Sequence, residues 1–333
     1  MIKIIKIFGI VTLLFLGALV FIVFVRKPAD RNKVSDRDLS ESNAPASPVA
    51  NMVSVPQIPD TTSGLRGKPF SNPREITLLD YSGDAMEPGI SADGTMLFFG
   101  NNGKDKDLFM AKKSGDFTYG SVQKLSEINS ASVDSSPEAV GEFIFFTSLA
   151  DYPGDRKTLF RGKLVDGKMQ KVAQLRGNLY SSEPRETSLD PDLTANQEIL
   201  VFAQGRFGAG APEAMDVQLA YKIGDANYAV PKNSSEILKN INTAGNLEYA
   251  PAIGQDGLEL FFTRATKSAS GAVVKVEILQ ATRDKLDQPF GKPNIVVVAD
   301  GFVEGPSLSA DEKSLYYHKK VGSRFVVYVA TRS

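Results

Sequence analysis

The sequence predicts an all-β fold, a five-bladed β-propeller, and three observations lead to this prediction. One phrase recurs five times: an acidic residue, a proline, a short alternating run, a turn and a pair of bulky apolar residues. A second alternating run, with a small residue near its end, follows every copy. The copies are spaced by roughly 50 to 60 residues, the length of a repeated four-stranded unit that must stack on its neighbours to bury its faces.

The N-terminus carries a separate apolar element. Residues 7–25 contain no charged side chain. As a helix at about 1.5 Å per residue they would span about 28 Å, close to the thickness of a bilayer core. We therefore expect residues 1–27 to form a signal-anchor or transmembrane helix. Cleavage as a signal peptide near Gly17 and Ala18 is the alternative.

Basic residues flank this run on both sides and disagree about its orientation. Lys3 and Lys6 precede the run, and a larger number of basic residues follow it between positions 26 and 37. The larger number of basic residues after the run favours a cytoplasmic location for the chain that follows. In contrast, a short basic tail before an apolar run is typical of an anchor that exports the chain behind it. We expect export: a single-pass protein of the inner (plasma) membrane, with its propeller on the periplasmic, extracytoplasmic side.

Residues 28–69 are predicted to be a linker. They are rich in Pro and Ser and contain no aromatic residue, so they offer too little apolar surface to offset the entropy lost on ordering. Such a segment would hold the folded part, residues 70–333, away from the membrane.

The repeated phrase defines the first two strands of each copy. Tight turns such as Asp93-Gly94 and Asp256-Gly257 separate these strands, as hairpins prefer. The apolar pairs lie on the second strand, at Phe98-Phe99, Phe145-Phe146, Val201-Phe202, Phe261-Phe262 and Tyr316-Tyr317. The prolines lie upstream, at Pro88, Pro137, Pro191, Pro251 and Pro306.

Further strands complete each copy. β-Branched and aromatic residues in alternation predict a third strand, at 107–113, 158–164, 216–222, 276–283 and 325–332. Short runs predict a fourth strand in the first four copies, at 122–125, 172–175, 235–238 and 295–298. The fifth copy ends one strand short, and we expect residues 74–79 (REITLL) to supply that strand and close the ring. A sixth blade is possible if 147–190 or 263–300 contains a degenerate copy.

The phrase P-x-x-S-x-D-G, followed by an apolar pair and a run that ends in Ala, resembles the WD40-like β-propeller repeat of TolB-type (PD40) bacterial proteins. Residues 88–99 and 306–317 match best, and 251–262 has Gly254 in place of Ser; the copies at 137–146 and 191–202 are degenerate. The resemblance covers about residues 70–333 and implies the propeller fold. It does not imply one function, because such propellers serve as scaffolds, ligand binders and accessory domains of hydrolases.

Acidic residues recur just before the first strand of each copy, and they are the candidate site: Glu87, Asp134, Asp190, Glu248 and Glu304. Because the first strand of a propeller blade lines the central channel, these carboxylates could gather at one mouth. There they could bind a cation or sugar hydroxyls, or act as a pair ~5–10 Å apart in glycoside hydrolysis. The alternative is that each acid caps a turn and accepts backbone N–H groups.

Composition limits the chemistry. The chain has no Cys and a single His, and 38 basic residues face 39 acidic ones. Disulfides, thiolate metal sites and cysteine nucleophiles are therefore excluded, and no basic face indicates a nucleic-acid partner. We predict no cofactor and leave a bound metal undecided. His318 is expected to be packed or exposed rather than a general base.

Two polar stretches carry weaker signals. Residues 101–107 (NNGKDKD) lack the later acidic ligand of an EF-type calcium loop, so we interpret them as a polar hairpin between the second and third strands. Residues 205–211 are rich in glycine, but no helical pattern follows them to bind phosphate.

The sequence therefore predicts a membrane-anchored propeller that acts as a binding or assembly module, with a protein partner or a saccharide as its ligand, rather than an enzyme. The alternative is a carbohydrate-active hydrolase that uses carboxylates at the propeller mouth. The hydrolase requires two of Glu87, Asp190, Glu248 and Glu304 to face one open pocket with aromatic walls. Five carboxylates that are each bonded to backbone turns would support the binding module.

Overall fold

The computed structural model describes residues 54–57, 64–208, 212–297 and 301–333. Within these ranges nearly all of the regular secondary structure is β-strand, so the all-β prediction is confirmed. The predicted membrane helix, residues 7–25, lies outside the described residues. Inside them, no helix is long and apolar enough to cross a bilayer.

Two short strands come first, β1 (Ser71–Glu75) and β2 (Thr77–Leu78). The strands that follow in the described ranges group into five antiparallel units. Unit 1 comprises β3 (Met86–Ile90), β4 (Met96–Gly100), β5 (Leu108–Gly115) and β6 (Thr118–Lys124). Unit 2 comprises β7 (Asp134–Val140), β8 (Phe143–Ser148), β9 (Leu159–Val165) and β10 (Lys168–Gln174).

After the two-residue strand β11 (Arg176–Gly177), unit 3 comprises β12 (Glu186–Leu193), β13 (Ile199–Phe207), β14 (Pro212–Gly224) and β15 (Asn227–Ala229). Unit 4 follows the single-turn helix α1 (Ser234–Ile237) and comprises β16 (Asn246–Ile253), β17 (Glu259–Lys267), β18 (Val273–Thr282) and β19 (Asn294–Val297). Unit 5 comprises β20 (Val303–Leu308), β21 (Ser314–Val321) and β22 (Arg324–Thr331). One parallel residue pair, Met215 with Leu247, joins units 3 and 4 into a single sheet.

Strand β1 completes unit 5 by antiparallel pairing with β22. The predicted strand at 74–79 is wrong in its bounds, because the chain changes partner at Ile76. The N–H of Ile76 donates to Val327 O in unit 5 at 2.8 Å, and the next N–H, of Thr77, donates to Phe117 O in unit 1 at 2.8 Å. Strand β2 then pairs in parallel with β6. Residues 71–79 therefore connect the last unit to the first.

The apolar pair of each unit is split between two cores. Adjacent residues of a strand point to opposite faces of the sheet, and both faces of every unit are covered by a neighbour. In unit 1, Phe99 packs in the core shared with unit 5 and Phe98 in the core shared with unit 2. The other pairs divide in the same way among the cores between successive units. Both members of a pair are bulky because each must fill a different interface.

The predicted fourth strand of the third copy is wrong. Residues 234–237 form α1 instead, and the fourth strand is β15, which ends shortly before Pro231. Ile237 and Ile241 are spaced by one helical turn, and both are buried in the core between units 3 and 4. The apolar residues of this segment therefore lie on one side of a helical turn, whereas a strand would place apolar residues at every second position.

The folded part extends N-terminal to Phe70. Residues 66 and 67 were assigned to the linker, but both contact unit 4: Arg66 pairs with Asp256, and the N–H of Gly67 donates to Glu259 Oε1 at 2.7 Å. Farther back, Val55 packs against the core between units 3 and 4.

Candidate functional site

The innermost strand of every unit is bulged at the residue before its proline. Register shifts interrupt the pairing there, and the residue before proline has a positive φ between 45° and 67° in every unit: Glu87, Ser136, Asp190, Ala250 and Gly305. Proline suits a bulge because it has no N–H to contribute to the ladder. The repeated phrase is therefore the signature of a five-fold bulge and not of a turn before the strand.

Each bulge frees one backbone N–H, and every one of them donates to a side chain of the preceding unit. Glu87 N donates to His318 Nδ1 at 3.0 Å, which links unit 1 to unit 5. Ser136 N and Ala250 N donate to carboxylates, Glu87 Oε2 at 3.0 Å and Asp190 Oδ2 at 3.2 Å. The acceptors for the remaining two are threonine hydroxyls. The bulges thus tie the units to one another around the channel.

A cavity of about 460 Å³, including its open mouth, lies at one end of the channel, and we call it the upper pocket. Its charged and aromatic lining residues come from several units: Glu87, Lys106, Asp190, Tyr249 and Glu304. Leu189 and Met215 provide apolar walls. Three of the five predicted site residues therefore do face one pocket.

Glu87 forms an ion pair inside the upper pocket. Lys106 Nζ lies 2.8 Å from Glu87 Oε1, and both side chains are largely buried. Burial opposes ionisation of Glu87, but the Lys106 ammonium outweighs it and holds the pKa of Glu87 below its usual value. Lys106 belongs to the polar hairpin at 101–107, which Asn101 stabilises by accepting a hydrogen bond from Asp107 N at 2.8 Å. No sequence pattern predicted that this hairpin reaches the channel.

Asp190 is held between two neighbouring units. Ser136 Oγ donates to its Oδ1 at 2.6 Å, and Ala250 N donates to its Oδ2 at 3.2 Å. Burial and the nearby Glu87 charge raise the pKa of Asp190 to about 6. Since Ser136 bonds to both acids, Glu87 and Asp190 are close neighbours with opposite pKa shifts.

Glu304 is the third carboxylate of the pocket. Tyr249 OH donates to Glu304 Oε2 at 2.6 Å, and His318 Nε2 lies 3.2 Å from Oε1. Because His318 accepts a hydrogen bond at Nδ1, it carries its proton on Nε2 and donates it to Glu304. His318 is buried, which is one of the two placements that the sequence left open, and its two bonds position a backbone bulge and a pocket carboxylate.

Asp134 and Glu248 do not reach the pocket. The N–H of Ser130 donates to Asp134 Oδ2 at 2.5 Å, and Thr243 Oγ1 donates to Glu248 Oε1 at 2.5 Å. Both acids lie three residues before their proline, whereas Glu87 and Asp190 lie one residue before it. These two predicted site residues therefore cap turns, which was the alternative interpretation of the whole set.

The prediction omitted two further carboxylates that line the channel, Glu138 and Asp192. Each of them directly follows its proline. The five prolines surround a middle cavity of about 310 Å³, and a lower cavity of about 380 Å³ opens among the turns that end the innermost strands. Burial raises the pKa of Asp192 to about 7, and burial with the Asp192 charge raises that of Glu138 well above its usual value. Aligning the copies on their prolines, rather than on the apolar pairs, would have revealed both.

The channel residues do not form a ready-made metal centre. Across the part of the chain that the structure describes, no three His, Cys, Asp or Glu side chains are grouped so as to hold a metal ion. What the channel offers is a row of fixed oxygen acceptors with one ammonium group, Lys106, at its upper end.

No family model matches the sequence, and no curated protein matches it. Solved structures do resemble it. TolB from Acinetobacter baumannii is 14% identical with a TM-score of 0.40, over 75% of this chain but only 55% of that chain. The catalytic domain of the Coprinopsis cinerea GH62 α-L-arabinofuranosidase is 9% identical with a TM-score of 0.50, over 80% of this chain and 97% of that one. A glycoside hydrolase is 9% identical with a TM-score of 0.51, over 80% of this chain and 92% of that one. At such low identity the likeness shows the fold alone, a β-propeller.

Proposed function

We propose that the chain is a membrane-anchored binding module whose upper pocket takes a ligand rich in hydrogen-bond donors. One observation carries this proposal: three carboxylates from three units converge on the pocket, and all six of their oxygens already accept a bond or ion pair from the protein. A carboxylate oxygen has a second lone pair. The pocket therefore presents fixed acceptors to a ligand, rather than a carboxyl group free to move toward a reacting bond.

The architecture that we propose for this module is a five-bladed propeller closed by residues 71–75. Pairing of β1 with β22 supports it, as does the core between units 5 and 1, in which Val327 and Val329 pack with Phe99 and Tyr119. A ring that is closed by main-chain hydrogen bonds holds the pocket acids of different units at fixed separations. Fixed separations favour recognition, since less freedom is lost when the ligand binds.

The cellular placement rests on the sequence. The uncharged run at 7–25 and the Pro- and Ser-rich stretch at 28–69 support an anchor and a stalk that hold the propeller outside the cytoplasm. We propose a protein or saccharide partner at that location, and the donor-rich ligand would be a group that this partner presents to the channel.

The binding proposal is tested with the full chain in mild detergent. Calorimetric titration with saccharides, amines and short peptides should identify a class that binds the wild type and binds Asp190→Asn at least tenfold more weakly. Glu127→Gln, which removes an exposed acid outside the channel, is the matched control and should bind as the wild type does. If every class binds Asp190→Asn and wild type equally, or none binds at all, the upper pocket is not the binding site.

A second function, glycoside hydrolysis, is favoured by one specific observation. Asp190 has a pKa raised to about 6, while that of its neighbour Glu87 is lowered. Two adjacent carboxyls with diverging pKa values are the usual arrangement of a general acid and an ionised partner. A release assay with aryl glycosides separates the functions: the binding module should show no turnover, and turnover that Asp190→Asn abolishes would establish the hydrolase.

A further inference from the structure

The acids of the channel lie in two tiers. Glu87 and Asp190, one residue before their prolines, form the upper tier with the upper pocket; Glu138 and Asp192, one residue after, form the lower tier. All four line the middle cavity, together with the five prolines that lie between the tiers. Along a strand the tiers are two residues apart, and because the residue before the proline is bulged, their separation is at most the rise of two extended residues, about 6–7 Å. The channel therefore alternates between acidic, apolar and acidic surfaces.

The negative charge of the channel is not balanced by the protein. Lys106 is the single basic residue among the described residues that line the three cavities, and its ammonium is paired with Glu87. Asp192 accepts only backbone N–H groups, from Leu193 at 2.6 Å and Ile253 at 2.7 Å. Buried carboxylates without a counter-charge are costly, so a cation that enters the channel recovers part of that cost.

The lower tier also contains a polar group without a partner. Ser307 follows the proline of unit 5, as Glu138 and Asp192 follow theirs, and its side chain lies close enough to the Glu138 carboxyl to lessen the rise of its pKa. The contact is not a regular hydrogen bond, since Ser307 Oγ, in a residue only 1% exposed, has no hydrogen-bond partner among the described residues. A buried hydroxyl without a regular hydrogen bond beside a carboxyl is a group that a bound donor could satisfy.

We propose that the channel binds a linear α,ω-diamine, with one ammonium group in each acidic tier and its methylene chain against the prolines. The five bonds of 1,4-diaminobutane, at about 1.5 Å each in a zigzag chain, place its two nitrogens about 6 Å apart. This is within the largest separation that the two tiers can have. The lower ammonium donates to Glu138, Asp192 and Ser307 Oγ, and the upper one to Asp190 and Glu304.

This occupant fits the channel better than a small cation or a saccharide does. A single small cation would satisfy one tier and leave the other uncompensated. A saccharide would place hydroxyl groups against the proline belt, where the lining offers ring carbons rather than acceptors. The inference rests on the proposed binding function and names the ligand class for its pocket, extended by the lower tier.

Titration calorimetry of the full chain in low-salt buffer at pH 8 tests the inference with two matched probes, 1,4-diaminobutane and 1-aminobutane. The diamine should bind at least tenfold more tightly than the monoamine. Glu138→Gln should remove that advantage and leave the affinity for the monoamine within twofold, because the monoamine needs only the upper tier. Glu127→Gln serves as the control for loss of one acidic charge at an exposed position.

A chain-length series provides a measurement that needs no variant. Affinity should be highest for the diamine with four methylene groups and fall for those with two or eight, since both ammonium groups then cannot reach their tiers. Equal affinity for the diamine and the monoamine would overturn the diamine inference and leave the binding module intact. The same holds if calcium chloride displaces the diamine from a shared site at a concentration below that of the diamine. If saccharides bind and neither amine does, the inference also fails and the proposed function stands.

Discussion

Glu304 and Glu248 are both buried glutamates on innermost strands, yet they do different things. Glu304 lies two residues before its proline and accepts a bond from Tyr249 of the neighbouring unit. Glu248 lies three residues before its proline, and its partners, Thr243 and Arg264, belong to its own unit or to the loop that leads into it. A shift of one position turns a strand side chain to the other face. The channel acids therefore hold the units together, whereas the capping acids stabilise one unit from within.

The largest effect is expected from removing the segment that connects the last unit to the first. Deleting residues 71–79 from the full chain removes the backbone partners of β22 and of β6 together. The exposed edge and the opened core between units 5 and 1 should cost several kcal/mol, comparable to the stability of a whole domain. Circular dichroism and sedimentation should show loss of the folded state or aggregation.

Deleting nine residues of the predicted linker, 36–44, is the control for chain shortening. That variant should fold and melt like the wild type. If both deletions melt at the wild-type temperature, residues 71–79 do not connect the units, and the closed-ring architecture is wrong.

The second prediction concerns the ion pair of the upper pocket. Lys106→Met leaves the Glu87 carboxylate buried without its cation, and breaking a buried pair in this way costs about 3–5 kcal/mol. Chemical denaturation should show this loss, and the double variant Lys106→Met with Glu87→Gln should recover most of it. Lys124→Met, which breaks the pair of the half-exposed Lys124 with Asp107, should cost less than about 1 kcal/mol. Equal costs for the two single variants would contradict the importance of the channel pair.

The third prediction is the pH dependence of the lower tier. Burial raises the pKa of Asp192 to about 7 in the folded chain, above its usual value of about 3.9 in the unfolded chain. The folded state therefore binds the proton more tightly, so the stability from this group is fully present below about pH 4 and is lost as pH rises to about 7.

Asp192→Asn removes this titration and should therefore gain stability relative to the wild type as pH rises. The difference between the two free energies of unfolding should change by about 2–4 kcal/mol between pH 4 and pH 8. Glu127→Gln should show no such trend. If the difference between the two free energies of unfolding stays constant over this pH range, the pKa of Asp192 is not raised by burial in the folded chain.

The sequence was sufficient for the strands and the cores because both depend on alternation. Period-2 runs predict strands directly, and a pair of bulky residues such as Phe98-Phe99 requires burial on both faces. The turn at residues 194–196 has the same side-chain hydrogen bond as another copy, although its residues differ from the repeated motif. Thr194 and Asn196 bond to each other at 2.8 Å, as Ser91 and Asp93 do at 2.7 Å, although that copy is degenerate in sequence.

The channel could not be predicted in the same way because residue type does not determine its backbone. Ala250 and Ser136 share the positive φ of Asp190, although neither residue type favours that conformation, so the packing of the units and not the residue type imposes it. The position of each acid within the bulge then decides whether it faces the channel. Lys106 arrives from a hairpin with no repeated pattern. The upper pocket is therefore in part a property of the assembled units.

The smallest effect is expected from replacing a threonine with valine at two positions. One threonine bonds to a neighbouring unit and the other bonds close to itself in the chain. Thr147 Oγ1 accepts the bulge N–H of Asp190 from the next unit at 3.0 Å, whereas Thr243 bonds to Glu248 beside it. Replacing either threonine with isosteric valine leaves a buried polar group without its partner, which costs about 1–2 kcal/mol. The two variants should therefore melt at similar temperatures. Only Thr147→Val should also weaken channel binding of 1,4-diaminobutane in calorimetry, by about threefold or more, because it releases the bulge that aims Asp190 into the pocket. Equal binding by both variants would show that the bonds between units do not position the channel acids.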